Sequence, residues 1–467
     1  MPIKLLSTYK ALKAFLKVNT CFIIQNNKLW CNICNIEKCY IPREGITPLQ
    51  KHLTCEAHRN AEKSKYLQTR LNVEVDSKDF HSELLLAFAE SNIPIHKLES
   101  KSLKLFLERW TGKTIKDESF YRKTLLDEIY KKKFDYIKNE ISKVNIYLIF
   151  DESKNSSGLS ILNILAGKCS AEKRERAFLI SSIHINKTNS ETIILEILSA
   201  LNKIYDNDAS KYKNIKLLVS DGAPYAIKTG TLLKGLVPEC KHITCLCHAL
   251  HNLCETIRDK FSILNDFVVV FKKLLIKNKT NQYIFSSETG LPIPKFPIVT
   301  RWGTWLEFVS FTFDNFEMIK KFSEMLPDDL RDKIYMQNII QSECFAEEMK
   351  LAYAHKFLIE AIKMLESDTL STVKQISILK DVIAQVNNMN IFNERLNAIL
   401  DRNPDLTFFI NFDLLKANTI DKCYAFIPLT SASVERSFSN YNYIFSEKRR
   451  NLLPENTEKY LSLYFNS

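Results

Sequence analysis

Two rhythms of apolar residues divide this chain. From Val144 to Ser220 they come in short, nearly unbroken runs, the pattern of strands buried on both faces. Val144–Phe150, Leu159–Ala166, Ala177–Ile185 and Lys216–Ser220 each read as such a strand, with turns at Gly158 and Lys173–Arg176. Glu191–Ile204 instead repeats its apolar residues at i, i+3 and i+4, and a second helix is expected from Ala223. The predicted order is β-β-β-α-β-α. From Phe261 to Leu400 the helical rhythm takes over, as in Phe345–Leu365 and Thr372–Val386. Upstream, Ser82–Ser91 has helical spacing and Pro94 opens the next connection. The last segment gathers Ile444, Phe445, Leu452, Leu453, Tyr460, Leu461, Leu463, Tyr464 and Phe465 into an apolar surface that a chain end cannot bury alone.

Composition narrows the class. With 45% hydrophobic and 25% charged residues in 467, the chain is expected to be globular, with room for two to four cores. No apolar run approaches a membrane span, and Met1–Leu16 has no pattern of a secretory signal. The twelve cysteines therefore read as thiols or metal ligands rather than disulfides. Nine glycines leave little material for a phosphate-cradling loop. Charge is uneven. Residues 1–70 hold 12 Lys+Arg against 4 Asp+Glu, whereas residues 141–467 hold 40 against 37. Most of the +11 net charge thus sits in a short basic arm on a nearly neutral body.

That arm carries Cys31 and Cys34 in a CxxC, then His52 and His58. Two thiolates and two imidazoles suffice for a closed tetrahedral Zn²⁺ site. Pro48–Arg59 reads as a helix presenting both histidines, and their five-residue gap requires that helix to bend or unwind at its end. Cys39 and Cys55 are spare thiols, and Cys55 could replace a ligand. Lys51, Arg59, Lys63, Lys65 and Arg70 line the exit from this module, where they can neutralise phosphates. Double-stranded DNA is the expected partner, with RNA, protein or a merely solvated charged face as the other readings.

The central strand order matches the opening of the RNase H-like fold, in which the first and fourth strands lie side by side. Asp151 and Asp221, at the ends of those strands, would then have adjacent carboxylates. Such a pair calls for cations, and Mg²⁺ or Mn²⁺ alongside phosphates is the usual solution. Cys240, Cys245, Cys247, His248, His251 and Cys254 form a second thiol–imidazole cluster. It reads either as buried thiols or as a second zinc site, with Cys245 and His248 as its candidate ligands.

Several segments carry a family resemblance. Leu29-Trp30-Cys31-Asn32-Ile33-Cys34 and His52-Leu53-Thr54-Cys55-Glu56-Ala57-His58 resemble BED-type zinc fingers, most closely those of the CGG-triplet-repeat-binding family. Ser431-Ala432-Ser433-Val434-Glu435-Arg436-Ser437-Phe438-Ser439 resembles the C-terminal signature of hAT-superfamily DNA transposases. Lys448-Arg449-Arg450-Asn451-Leu452-Leu453 and Tyr460-Leu461-Ser462-Leu463 fit the same segment. Ser220-Asp221-Gly222-Ala223, Cys245-Leu246-Cys247-His248 and Thr300-Arg301-Trp302 resemble three further motifs of that superfamily, in order. The resemblance covers residues 145–467 and implies a D-D-E triad of Asp151, Asp221 and Glu435 holding Mg²⁺ or Mn²⁺. It also implies an all-helical insertion before Glu435, DNA contacts from Arg301 and Trp302, and dimerisation through the C-terminus. Helix core is the other reading of Trp302, with Trp305 three residues on. The sequence departs from the family at Asn440-Tyr441 and at Glu152 after Asp151, and no implied ligand is lost.

The expected architecture is an α/β, RNase H-like mixed sheet (144–240 and 421–467) interrupted by an all-α insertion (241–420). An N-terminal Cys2His2 finger (1–70) and a small helical domain (71–143) precede it. The expected function is DNA strand cleavage and transfer at transposon ends by a nuclear, homo-oligomeric hAT-type transposase. The alternatives are a catalytically silent nuclear DNA-binding protein descended from one, and an RNA-processing nuclease of RNase H type.

Overall fold

The computed structural model describes residues 12–16, 18–19, 21–25, 28–34, 36–38, 45–61, 77–155, 158–298, 301–328, 330–412, 421–445 and 453–467. Cys39, Lys63, Lys65, Arg70, Thr300 and the stretch 448–452 lie outside them. The chain divides into two compact units, Met1–Glu83 and Leu84–Ser467.

In the first unit, β1 (Phe22–Gln25), β2 (Lys28–Cys31) and β3 (Ile36–Lys38) form an antiparallel sheet in that order. Helix α1 (Thr47–Thr54) starts on Pro48, where a missing N–H costs nothing. It stops at Cys55, whose extended backbone (φ −71°, ψ 149°) makes the break that the histidine spacing requires, and residues 56–61 resume helix. The apolar core is small: Leu12, Phe22, Leu29, Cys31 and Leu49 are buried, with Phe15, Leu16, Ile33 and Leu53 against them.

Helix α2 (Ser77–Glu90) leads along the chain to the helical segment of the second unit, which includes α3 (Lys101–Thr111) and α4 (Leu126–Ile141). The sheet that follows has five strands: β4 (Ile146–Lys154), β5 (Ser160–Lys168), β6 (Phe178–Ile185), β7 (Ile215–Ser220) and β8 (Lys241–Thr244). Their order is β6-β5-β4-β7-β8. β4 pairs antiparallel with β5 and parallel with β7, so the sheet is mixed. Helix α5 (Ser190–Tyr205) connects β6 to β7, and α6 (Pro224–Leu236) connects β7 to β8. One face of the sheet, with Leu148, Phe150, Leu162 and Ile164, packs on Ile137 and Ile141 of α4, Ile193, Ile197 and Leu201 of α5, and Leu233 of α6.

β8 was not legible in the sequence, and the boundary read at residue 240 falls just before it. Its outer edge is closed by side chains. Asn403 Oδ1 accepts from Thr244 N–H (3.1 Å) while its Nδ2 donates to Thr244 O (2.9 Å). Asp405 Oδ2 accepts from His242 N–H at 2.6 Å. Backbone groups that a further strand would claim are thus satisfied. His242 itself is buried against α6, its Nε2 2.9 Å from Ser220 Oγ. Burial pushes its pKa down to about 4. The ring lies so close that a Cβ on Gly230 would stand 2.1 Å from Nδ1. Gly230→Ala is therefore expected to lower unfolding stability by about 1–3 kcal/mol despite the better helix propensity of Ala. An unchanged urea midpoint would show that the His242 ring is free to retreat.

After β8 the chain is helical: α7 (Leu246–Lys260), α8 (Ser262–Ile276), α9 (Lys279–Thr289), α10 (Thr304–Asp314), α11 (Phe316–Met325) and α12 (Arg331–Ile340). There follow α13 (Glu343–Ala354), α14 (Phe357–Leu365), α15 (Thr372–Met389), α16 (Asn393–Leu400) and α17 (Leu406–Ile410). This array has its own aromatic centre. Phe271 has Phe267, Phe285, Phe296, Phe308 and Phe322 within 5.5–6.2 Å, centroid to centroid. The chain then returns to the sheet. Helix α18 (Ala432–Ile444) packs on β4 and β5, and α19 (Pro454–Phe465) packs on β6. Tyr460, Leu461, Leu463 and Phe465 are buried within the chain. Asn466 pins this end to the sheet, accepting from Leu179 N–H (2.9 Å) and donating to its carbonyl (3.0 Å). Among the described residues no helix is long and apolar enough to cross a membrane.

Candidate metal centres

The first unit brings Cys31, Cys34, His52 and His58 together, with one donor atom from each lying within 4.8 Å of all the others. Cys34 Sγ stands 3.2 Å from His58 Nδ1 and 3.6 Å from His52 Nε2, and Cys31 Sγ stands 3.5 Å from His58 Nδ1. The two imidazole nitrogens are 3.1 Å apart. Four donors at zinc bond lengths on a tetrahedron would be about 3.5 Å from one another. The set therefore has the spacing of a closed zinc site and could hold Zn²⁺. Each donor has a local cause. The turn after β2 places both sulfurs, α1 carries His52, and the break at Cys55 swings His58 back across it. Burial, and then Cys31 beside it, pushes the Cys34 thiol up to about 11. Burial, then Lys38 and His58, hold His52 below the usual histidine range. A cation would reverse that bias toward protonated thiols.

Cys55 stands behind this set and does not join it. Its Sγ is 3.9 Å from His52 Nδ1, the nitrogen turned away from the cluster, and accepts from His58 N–H at 3.4 Å. It supports the two histidines. Lys51 and Arg59 are exposed on the same unit.

The second cluster lies on the sheet face opposite α5. Asp151 is in β4, and the parallel ladder of β4 with β7 runs to the pair Ile149–Val219. Two residues further along each chain stand Asp151 and Asp221. Glu435 comes down from the first turn of α18. That helix is held by Asn163 of β5, which donates to Ser437 Oγ at 2.7 Å and is itself the cross-strand partner of Asp151. The fourth member is His248 of α7. Its Nε2 is 3.7 Å from Glu435 Oε1, and one donor atom each from Asp151, His248 and Glu435 falls within a 4.8 Å set. Asp221 stands outside that tightest set but is coupled to it electrostatically. Its carboxylate lies just before α6 and accepts from Ala223 N–H at 3.3 Å.

Electrostatics here follow from crowding. Burial, followed by the Asp221 charge, holds the Asp151 carboxyl well above the usual range. Burial raises Glu435 and Asp221 as well. Asp151 and Glu435 lie close enough that the Glu435 charge also raises Asp151. Burial alone would lower His248, but Cys245, Asp151 and Glu435 outweigh it and push its pKa up to about 10.

Cys245 and His248 are neighbours, and each shifts the other's titration. Among the described residues no third ligand completes a cluster around Cys245. Its Sγ accepts from Ser431 N–H at 3.1 Å, and Leu246 N–H donates to Leu429 O at 3.0 Å. These bonds dock the start of α7 against the irregular segment before α18 and so bring His248 to Glu435. Cys240, Cys247 and Cys254 are buried thiols. The sequence left His248 as either one polar histidine among buried thiols or a second zinc ligand, and gave no sign of its nearness to Glu435.

A cleft of about 770 Å³ opens from Glu435, lined among others by Lys295, Phe296, Arg301, Trp302, Lys363 and Arg436. Arg301 is exposed. Trp302 is half-buried, its ring edge-on to His248 with centroids 5.0 Å apart, while Trp305 is buried in the helical core. Arg436, next to Glu435, bonds Asp368 and donates to Glu366 O at 3.3 Å. The cleft thus joins carboxylates, guanidinium groups and one available indole. The chain matches none of the protein-family models and none of the curated proteins with which it was compared.

Proposed function

We propose that this chain is a DNA-cleaving transposase of the hAT type, or a protein descended from one, built on an RNase H-like core. The observation that carries the reading is the convergence of Asp151, Glu435 and His248, with Asp221 coupled to them, where Glu435 also lines a cleft that holds Arg301 and Trp302. Acids from three separate stretches of sequence meet on one sheet face, where their charges repel. Such an arrangement is costly without a cation and useful with one. In this reading Asp151, Asp221 and Glu435 hold Mg²⁺ or Mn²⁺, which when bound supplies Lewis acidity to activate a water or a 3′-hydroxyl. His248 orients Glu435. Arg301 meets a phosphate, and Trp302 offers its free face to an unpaired base. The Cys31/Cys34/His52/His58 module, carrying zinc, engages duplex DNA through Lys51 and Arg59, and the protein works in the nucleus as a homo-oligomer.

The test is nicking of a supercoiled plasmid by the purified chain in Mg²⁺ or Mn²⁺. Asp221→Ala is expected to lower nicking by at least about a hundredfold while DNA binding persists. Cutting that needs metal but ignores this substitution would remove the assignment. Tight, salt-sensitive binding of duplex DNA with no cutting under any metal would favour the silent DNA-binding alternative.

A further inference from the structure

Helix α3 is uncovered. None of its residues is buried, although it carries Leu105, Phe106 and Trp110, which are 52%, 57% and 75% exposed. The two rings are neighbours, with centroids 6.5 Å apart. An exposed aromatic patch of this kind on a folded protein marks a contact surface. Its charge says with what. Residues 95–116 hold six cations and two acids. Both acids are turned onto backbone. Glu108 Oε1 accepts from Ile115 N–H at 3.0 Å, and Glu99 Oε1 accepts from Glu118 N–H at 3.4 Å. Lys101, Lys104, Arg109 and Lys113 form no ion pair among the described residues. The surface therefore offers bare cations around two accessible rings, and the complementary partner is a polyanion with aromatic faces.

We propose that the α3 face binds a single-stranded or locally unpaired segment of nucleic acid. In a duplex the base faces are hidden in the stack, and only phosphates and hydrogen-bonding edges remain. The centre of this face is Leu105, Phe106 and Trp110, which cannot read edges but can stack on bases. The cations at its margin track the phosphates. This surface lies outside the acid cluster and needs no metal.

Fluorescence anisotropy of the full chain tests this, with labelled dT20 and a labelled 20-base-pair duplex and no added divalent cation. Phe106→Ala with Trp110→Ala is expected to weaken dT20 binding by about tenfold or more and duplex binding by less than about twofold. Lys101→Gln with Lys104→Gln is expected to reduce the slope of log K against log salt for dT20 by about 1.4. Lys101, Phe106 and Trp110 are exposed and Lys104 is half-buried without an ion pair among the described residues, so melting should be unchanged and loss of folding does not confuse the result. Unaltered dT20 affinity in both variants overturns the proposal. So does a change of sedimentation state in the aromatic variant with dT20 affinity intact, which would assign the face to a second copy of the chain. Asp151→Asn is expected to leave dT20 binding intact. Trp110-dependent binding without any nicking would therefore count against the transposase reading alone, and nicking with Trp110-independent binding against this proposal alone.

Discussion

Asp151→Asn is expected to abolish metal-dependent nicking, by about a thousandfold or more, and at the same time to raise the melting temperature of the metal-free protein. The first effect follows from the proposed metal site: it is the loss of roughly 4 kcal/mol of transition-state stabilisation, ordinary for a residue with the role proposed for Asp151. The second follows from crowding. Burial and the neighbouring Asp221 raise the Asp151 pKa in the folded chain. A carboxyl whose folded pKa lies above its unfolded value binds its proton more tightly when folded. Its favourable contribution is complete below the unfolded value and is lost as pH climbs through the raised one. As pH rises the metal-free fold loses the contribution of that proton, and asparagine, which does not titrate, avoids the loss while keeping the shape. A gain of roughly 2 °C is reasonable for a change near 1 kcal/mol in a unit of this size. Scanning fluorimetry of both proteins in the absence of divalent cations should show the gap narrowing as pH falls. Added Mg²⁺ should raise the melting temperature of the wild type and leave the variant nearly unmoved. A variant that melts lower than the wild type at neutral pH, or that still nicks, would show that Asp151 is an ordinary buried acid stabilised by His248.

The residues of this cluster were legible in the sequence to different degrees. β4, β5, β6 and β7 announced themselves because strands buried on both faces must be written in continuous apolar runs. Asp151 and Asp221 could be placed because each follows such a run directly. β8 could not be read. Lys241-His242-Ile243-Thr244 is short and half polar, and it is held by Asn403 and Asp405 from far along the chain. Periodicity carries no trace of a side chain that completes a distant edge. The nearness of His248 to the acids was not legible for a related reason. Its cysteine neighbours suggest a thiolate site, but its position depends on Cys245 and Leu246 bonding the segment that leads into α18. Glu435 gave the opposite lesson: its place was implied by a family signature, and the geometry supplies its independent cause in the Asn163–Ser437 bond. The apolar tail shows how one pattern permits two outcomes. Tyr460, Leu461, Leu463 and Phe465 needed cover, and α19 finds it on β6 of its own chain.

Replacing Cys31 by serine is expected to unfold the first unit and leave the second nearly as stable as before. Among the described residues the apolar core of the first unit holds only Leu12, Phe22, Leu29, Cys31 and Leu49, a small area on which to order its sheet and helix unaided. A structural zinc supplies apparent binding energy on the order of 10–16 kcal/mol at neutral pH in modules of this kind. The second unit has its own core on the sheet and its own aromatic centre around Phe271, neither of which uses the four donors. Native mass spectrometry should find one zinc per wild-type chain and none in Cys31→Ser. A zinc-selective chelator should reproduce the variant. Duplex affinity should then fall by at least about tenfold, because Lys51 and Arg59 lose the frame that presents them together. Removing Cys55 provides the contrast. Its sulfur touches His52 and His58 from outside the set, so Cys55→Ala should keep the zinc and weaken it by about tenfold. A chain that retains no zinc on reloading, with Cys31→Ser indistinguishable from wild type in circular dichroism and duplex binding, would leave the four donors as a buried thiol–imidazole cluster and nothing more.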